Sequence, residues 1–304
     1  MLNRRYFITS ALALVAAPAF AQAGKLPVVA TFSILGDFVR EVGGERIELT
    51  VLVGPGSDAH VYAPAPGDAK KVAAAGLVVQ NGMGFEGWID RLVKASNTKA
   101  RIVVATRGVK PIKGQGHGHG HAHGHSHGDQ NDPHAWQSVA NAKVYVANIR
   151  DGLIAIDPAG RETYTANADA YIKRLDALDA EARAALATIP QERRKVITNH
   201  DAFSYFGAAY GLRFIAPQGI STDAAPSAQA VARIIRQIRQ EKIPAVFLEN
   251  VADPRLAERI AQESGAKLGG SLYSDQLSTA DGPAGTYIDM VRHNIRVLTA
   301  ALGG

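Results

Sequence analysis

The chain has 304 residues, 46% of them hydrophobic and 20% charged. Those ordinary globular proportions exclude a disordered chain, a coiled coil and a multi-span membrane protein. It has no cysteine, which excludes disulfides, thiolate metal sites, iron–sulfur clusters and cysteine nucleophiles. The net charge of +5 falls to about +3 without Arg4 and Arg5, and no basic run is interleaved with stacking aromatics, so no nucleic-acid partner is expected.

Residues 1–23 read as an export signal. Arg4 and Arg5 form a positive start, and Phe7 to Phe20 is apolar except for Thr9 and Ser10. Two small-x-small cleavage options follow, Ala19-Phe20-Ala21 and Ala21-Gln22-Ala23. The stretch is too short and wrongly flanked for a spanning helix, so an N-terminal membrane anchor is the weaker alternative. Arg4-Arg5-Tyr6-Phe7-Ile8 resembles the core of a twin-arginine signal, with Asn3 in place of Ser or Thr. No cysteine follows the signal, which argues against a lipid anchor. A periplasmic mature protein is expected.

From Pro27 onward, short apolar runs alternate with amphipathic stretches. The first half predicts strands at Val28–Phe32, Ile47–Val53, Leu77–Gln80 and Ile102–Ala105, with helices at Ile34–Val42, Gly67–Ala75 and Phe85–Ala95. Val139–Ile156 and Pro158–Ala187 read as helices. The second carries an apolar stripe of Tyr164, Ala168, Tyr171, Ile172, Leu175, Leu178 and Ala182, with Gly160 in its first turn. The rhythm then repeats, with strands at Lys195–Asn199, Arg213–Ala216, Ala245–Glu249 and Lys267–Tyr273. Helices are predicted near Ala202–Tyr210, Ser227–Glu241, Pro254–Ser264 and Thr286–Leu302. This alternation predicts an α/β fold of two lobes, each a parallel four-stranded sheet covered on both faces. The lobes span 24–157 and 189–304, joined by a stiff helix over 158–188, with a ligand site in the cleft between them.

Ten histidines are present, and six crowd into Gly116–Gly128. Of the others, His60 follows the second strand through a turn, His134 stands before a helix, and His200 ends a strand. Asp275 sits just past the last strand. Carboxyl ends of parallel strands are where open α/β sheets bind ligands. Three imidazoles and a carboxylate suit tetrahedral Zn²⁺, whereas manganese or magnesium would call for more oxygen donors. A set closed by four protein ligands leaves no position for an activated water, so it would bind metal without doing chemistry. His293, on the terminal helix, reads as structural or exposed. Asp58, Asp132, Asp201 and Glu249 are candidates to orient the rings from behind, or equally helix caps and solvated charges.

Four motifs occur in order: Gly54-Pro55-Gly56-Ser57-Asp58-Ala59-His60, Asp132-Pro133-His134-Ala135-Trp136, Asn199-His200-Asp201-Ala202-Phe203 and Tyr273-Ser274-Asp275. Together they resemble the zinc/manganese periplasmic solute-binding proteins of bacterial ABC importers, over essentially the whole mature chain. The resemblance implies metal bound between the lobes by His60, His134, His200 and Asp275, a membrane ABC permease as partner, and no enzymatic activity. Some members carry Glu at the third position, associated with manganese; His200 favours zinc. Asp58-Ala59-His60 departs from the common Asp-Pro-His and loses a rigidifying proline.

The tract Gly116–Gly128 alternates His with small residues and cannot form a packed core. His117, His119, His121, His123, His125 and His127 form a labile, auxiliary metal-binding set, of a kind often carried by the zinc subgroup. The sequence thus predicts a monomeric periplasmic zinc receptor that supplies a permease, with a periplasmic zinc chaperone as a further candidate partner. A zinc buffer or metallochaperone without a permease is the alternative. A zinc hydrolase ranks lower, because the helical His-Glu-x-x-His run is absent.

Overall fold

Five consecutive buried residues, Val28 to Phe32, complete strand β1 (Leu26–Phe32), and a strand with no polar face needs cover on both sides of its sheet. The computed structural model describes residues 24–114 and 131–303. The expected export signal and the His-rich tract lie outside the described residues. Helix α1 (Ser33–Gly43) and strands β2 (Ile47–Val53), β3 (Leu77–Gln80) and β4 (Arg101–Val104) follow, with α2 (Pro66–Ala74) and α3 (Ile89–Ser96) between them. The strands form one parallel sheet in the order β2-β1-β3-β4.

The second lobe repeats the scheme. Strands β5 (Lys195–Ile197), β6 (Arg213–Ile215), β7 (Ala245–Glu249) and β8 (Lys267–Leu272) make a parallel sheet in the order β6-β5-β7-β8. Helices α6 (Ser204–Tyr210), α7 (Ala228–Glu241), α8 (Pro254–Ser264) and α9 (Tyr287–Leu302) complete it. Helix α4 (Val139–Ile156) packs on α1, β3 and β4 of the first lobe, and α5 (Arg161–Ala187) runs between the lobes. Gly160 belongs not to α5 but to a 3₁₀ turn, Pro158–Gly160, that precedes it. At 27 residues, α5 extends about 40 Å. Its buried stripe is Tyr164, Ala168, Tyr171, Leu175, Leu178, Ala182 and Leu186; Ile172 falls to the edge of that stripe.

Several expected boundaries shift, among them the start of α6, at Ser204 rather than Ala202, and β4, at Arg101–Val104 rather than Ile102–Ala105; two of the shifts trace to buried glutamates. Glu86 accepts hydrogen bonds from Asn81 N, Gly82 N and Thr31 Oγ1. That wraps 82–88 into a turn and delays α3 from Phe85 to Ile89. The turn passes through three successive positive φ values, at Gly82, Met83 and Gly84. A Cβ on Gly82 would stand 2.5 Å from Val104 Cγ1. In the second lobe, Glu249 accepts Asn199 N and His200 N at 2.7 and 2.8 Å. Those amides therefore leave the sheet, and β5 stops at Ile197.

One apolar core runs from β1 through α4 and α5 to α6 and α9, and so belongs to both lobes. Phe38 of α1 lies 4.7 Å from Tyr287 of α9 and 6.2 Å from Tyr171 of α5, centroid to centroid. A separate, isoleucine-rich cluster lies under α7 and α8. Asp157 fastens the start of the linking segment, accepting Arg46 Nη2 at 2.8 Å and Tyr164 Oη at 2.6 Å. Arg194 donates to the carbonyls of Leu186, Ala187 and Ile189 at the other end of α5. Among the described residues no helix is long and apolar enough to cross a membrane.

Asp37 is a buried carboxylate at this junction, accepting Tyr287 N at 2.9 Å and Arg40 Nη1 at 3.1 Å. Burial outweighs both contacts and raises its pKa from 3.8 to about 6. The folded state therefore holds a proton that the unfolded state has lost between those values, and stability falls as pH rises through that window. The cost above pH 6 is on the order of 3 kcal/mol. Asp37→Asn cannot ionise. Denaturant unfolding at pH 4 and pH 7.5 should show the stability difference moving toward the variant by about that amount at the higher pH. A difference independent of pH would contradict the assignment.

Candidate metal centre

His200 and Asp275 sit just beyond strands β5 and β8, His134 precedes a 3₁₀ turn at Ala135–Gln137, and His60 lies within the loop between β2 and α2; in all four the backbone is set by neighbours rather than by its own ladder. Asp58 and Asp132 make the same local device two residues before a histidine: a carboxylate oxygen accepts the backbone N–H of His60 at 2.8 Å and of His134 at 2.9 Å. Such Asx turns fix where the next side chain points. Ala59, in place of the rigidifying proline, is buried, and its carbonyl accepts Trp88 Nε1 at 2.8 Å. The His60 loop is thus held by a tryptophan. Asp275 is placed by Ser274, whose carbonyl accepts Trp136 Nε1 at 2.9 Å and Gln137 Nε2 at 2.7 Å.

The structure brings all four together. His60, His134, His200 and Asp275 each offer a donor atom, all within 4.8 Å of one another. His60 Nε2 lies 3.2 Å from His134 Nε2. Asp275 Oδ2 lies 3.4 Å from His60 Nε2 and 3.1 Å from His200 Nε2, and Oδ1 lies 3.6 Å from His134 Nε2. His293 is not in the cluster; its ring faces Tyr273, with Nε2 2.9 Å from Ser271 O.

Of the four carboxylates proposed to stand behind the rings, two do so. Asp132 Oδ1 is 2.7 Å from His134 Nδ1. Glu249 Oε2 is 2.6 Å from His200 Nδ1, close enough for a proton to lie between them, although the ring N–H axis is not aligned with it. Asp58 holds the backbone of His60 rather than its ring, and its other oxygen accepts Thr222 Oγ1 of the second lobe at 2.6 Å. Asp201 accepts Ser204 Oγ at 3.0 Å. Sequence reasoning missed Phe85, whose ring packs 4.5 Å from His60 and 4.8 Å from Trp136 and walls off the cluster. Nothing local in the sequence marks it, because the turn that delivers it is folded around Glu86.

Burial opposes charge here, yet the cluster is charged. Desolvation disfavours the His200 imidazolium, but Glu249 and Asp275 outweigh it and hold that pKa well above the ordinary value. Burial likewise opposes the Asp275 carboxylate, and His200 and His134 outweigh it, keeping its pKa well below the ordinary value. Burial lowers that of His60. Neither oxygen of Asp275, nor His200 Nε2, has an aligned hydrogen-bond partner. Buried polar atoms without partners call for an explanation, and beside three imidazoles a bound cation is the one that suits this donor set. A cavity of about 470 Å³ adjoins His60 and is lined by Met83, Gly84, Asn131, Pro133, Ile220 and Ser221. A second, of about 560 Å³, opens between α7 and α8, and none of the four side chains reaches it.

Two like α/β lobes on a rigid helix, with a buried His₃Asp cluster between them, define a two-lobed protein that binds a divalent metal ion. The family described as "Zinc-uptake complex component A periplasmic" (ZnuA) matches residues 28–301. The iron-binding protein YfeA of Yersinia pestis is 35% identical over 281 residues, which cover 92% of this chain and 88% of that protein. The manganese ABC transporter substrate-binding lipoprotein PsaA of Streptococcus pneumoniae is 31% identical over 284 residues, covering 91% and 89%. Among solved structures, the periplasmic zinc-binding protein TroA of Treponema pallidum superposes with a TM-score of 0.83 at 30% identity, over 92% of this chain and all of that one. The chain therefore belongs to the family of metal-binding, non-enzymatic substrate-binding proteins of ABC importers, which act outside the cytoplasm and serve a membrane permease.

Replacing Glu249 by Gln tests the geometry. The amide oxygen can keep the Asn199 and His200 amides, while its NH₂ faces His200 Nδ1 and makes it an acceptor. The ring proton then moves to Nε2, pointing into the cluster. Losing such a partner costs 10–100-fold in metal affinity; a chelator-competition titration of Glu249→Gln should show roughly that loss. Unchanged affinity would mean that Glu249 does not set the tautomer.

Proposed function

We propose that the transported ion is zinc, bound by His60, His134, His200 and Asp275, and that the chain captures it in the periplasm for a membrane permease. One observation carries this reading. Three imidazole nitrogens and a carboxylate lie within 4.8 Å of one another, and their four closest approaches, counted to one or other oxygen of Asp275, are 3.1–3.6 Å. Donors held in a tetrahedron at zinc's bond lengths stand about 3.3 Å apart. Carboxylates stand behind Nδ1 of His134 and His200, so Nε2 is the nitrogen that each ring turns to the ion. With four protein ligands, the metal is cargo rather than catalyst. Residues 1–23 export the chain, which works as a monomer; a periplasmic zinc chaperone is a candidate donor.

A manganese or iron cargo is the second reading. The names of PsaA and YfeA point that way, and neither Asp275 oxygen has an aligned hydrogen-bond partner. A bidentate carboxylate would raise the coordination number toward what manganese prefers. Competition decides between them. Untagged mature protein should take up one tight equivalent of zinc that equimolar manganese fails to displace. His60→Ala, His134→Ala, His200→Ala and Asp275→Ala should each weaken it by more than the 10–100-fold cost of an outer partner. A ligand bound only by the native state stabilises it by roughly 4 kcal/mol at a thousandfold excess over Kd. Zinc should thus raise the Tm more than manganese at equal concentration; equal shifts would refute the selectivity. A permease co-purifying with the chain separates a receptor from a free-standing zinc buffer.

The His-Gly tract is proposed as an auxiliary, labile site. Its imidazoles sit on a glycine-rich tether, so ordering entropy limits their affinity. Deleting 116–128 should remove weak zinc equivalents in a direct titration and leave the tight one intact. Loss of the tight equivalent would mean that the tract supplies its ligands.

A further inference from the structure

The chain leaves the first lobe for its His-Gly tract through Ile112 and Lys113, and returns through Asn131 and Asp132. At this neck Lys113 and Asn131 pair as an isolated antiparallel bridge, and Asp132 N donates to Ile112 O at 2.8 Å. Opposed residues of a hydrogen-bonded antiparallel pair exchange two such bonds. Here the return bond, from Ile112 N to Asp132 O, is not direct. The Tyr205 hydroxyl stands in it, accepting from Ile112 N at 3.1 Å and donating to Asp132 O at 3.1 Å. Tyr205 is buried and lies on α6, in the other lobe. Its hydroxyl also approaches Met83 Sδ at 4.0 Å. Burial raises its pKa, so it remains a donor.

The residue held in this way is the one that orients His134, through both its backbone N–H and its Nδ1. We propose that Tyr205 is a positioning residue for the metal centre: its hydroxyl completes the neck across the lobes and makes the aim of His134 depend on the second lobe being docked. Tyr205 never touches the ion. Separation of the lobes would withdraw the hydroxyl, loosen Asp132 and weaken one ligand. By linkage, a bound ion must tighten the neck to the same extent. The inference rests on the reading of His134 as a ligand.

Cobalt(II), whose visible absorption reports coordination geometry, is the probe. Tyr205→Phe keeps the ring and removes only the hydroxyl. It should leave the Tm of the metal-free protein nearly unchanged, alter the cobalt absorption band, and speed cobalt release to a chelator about tenfold. In wild-type protein, cobalt should slow hydrogen exchange at the Ile112 amide, a measurement that stands even if the variant folds poorly. A wild-type band and release rate in Tyr205→Phe, or Ile112 exchange indifferent to cobalt, would overturn the proposal. Identical cobalt spectra for wild type and His134→Ala would instead sink the ligand assignment beneath it.

Discussion

A carboxylate buried among three imidazoles is the constraint around which this molecule is arranged. Asp275 is 1% exposed and has no aligned hydrogen-bond donor on either oxygen. An ion taken out of water costs several kcal/mol unless an opposite charge stands beside it. In the metal-free chain the positive partner is His200, itself backed by Glu249. A divalent cation replaces that proton with a stronger and better-placed charge, so loading and proton release belong to one event. The Phe85 and Trp136 rings keep the exchange away from bulk water. The two indole and amide donors on the Ser274 carbonyl keep the carboxylate from retreating.

The three imidazoles are not held alike. His134 and His200 are buried, each with a carboxylate at its outer nitrogen. His60 borders the cavity, and its supporting carboxylate is spent on its own backbone and on Thr222 across the cleft. The rigid part of the site therefore lies deep, at the ends of elements. The adaptable part lies at the mouth, on a loop whose anchors come from both lobes.

Much of this arrangement was legible because it is local. Strands β2, β3 and β7 and helices α4 and α8 run over the expected residues, their apolar patterns being bounded by turns and caps. His200 and Asp275 were legible as ligand-type residues past strand ends, and the set of four, with His60 and His134 on connecting segments, was legible through the resemblance carried by the four motifs in order. What escaped was non-local. The late start of α3 follows from Glu86, which gathers the nearby Asn81 and Gly82 amides while its carboxylate is also held by Thr31 of β1, and the early end of β5 from Glu249, whose amide partners lie on another strand segment. Glu249 could be named as a candidate but not distinguished from Asp201, because which of them reaches a ring is settled only by packing. Phe85 and Tyr205 carry no local mark at all. Each matters through contacts with residues distant in sequence, and an aromatic within an apolar run reads simply as core.

The shared core has a further consequence, for the energetics of delivery. Phe38, Tyr171 and Tyr287 meet where α1, α5 and α9 converge. Opening the lobes wide would hand those rings to water. At 25 cal/mol per Å² and 150–250 Å² per aromatic, that exposure costs on the order of 10 kcal/mol. Thermal agitation does not supply such a sum at useful rates. A receptor built this way cannot yawn open to let its ion go; it must surrender it through small displacements of the loops around the cavity, or be pried by its membrane partner.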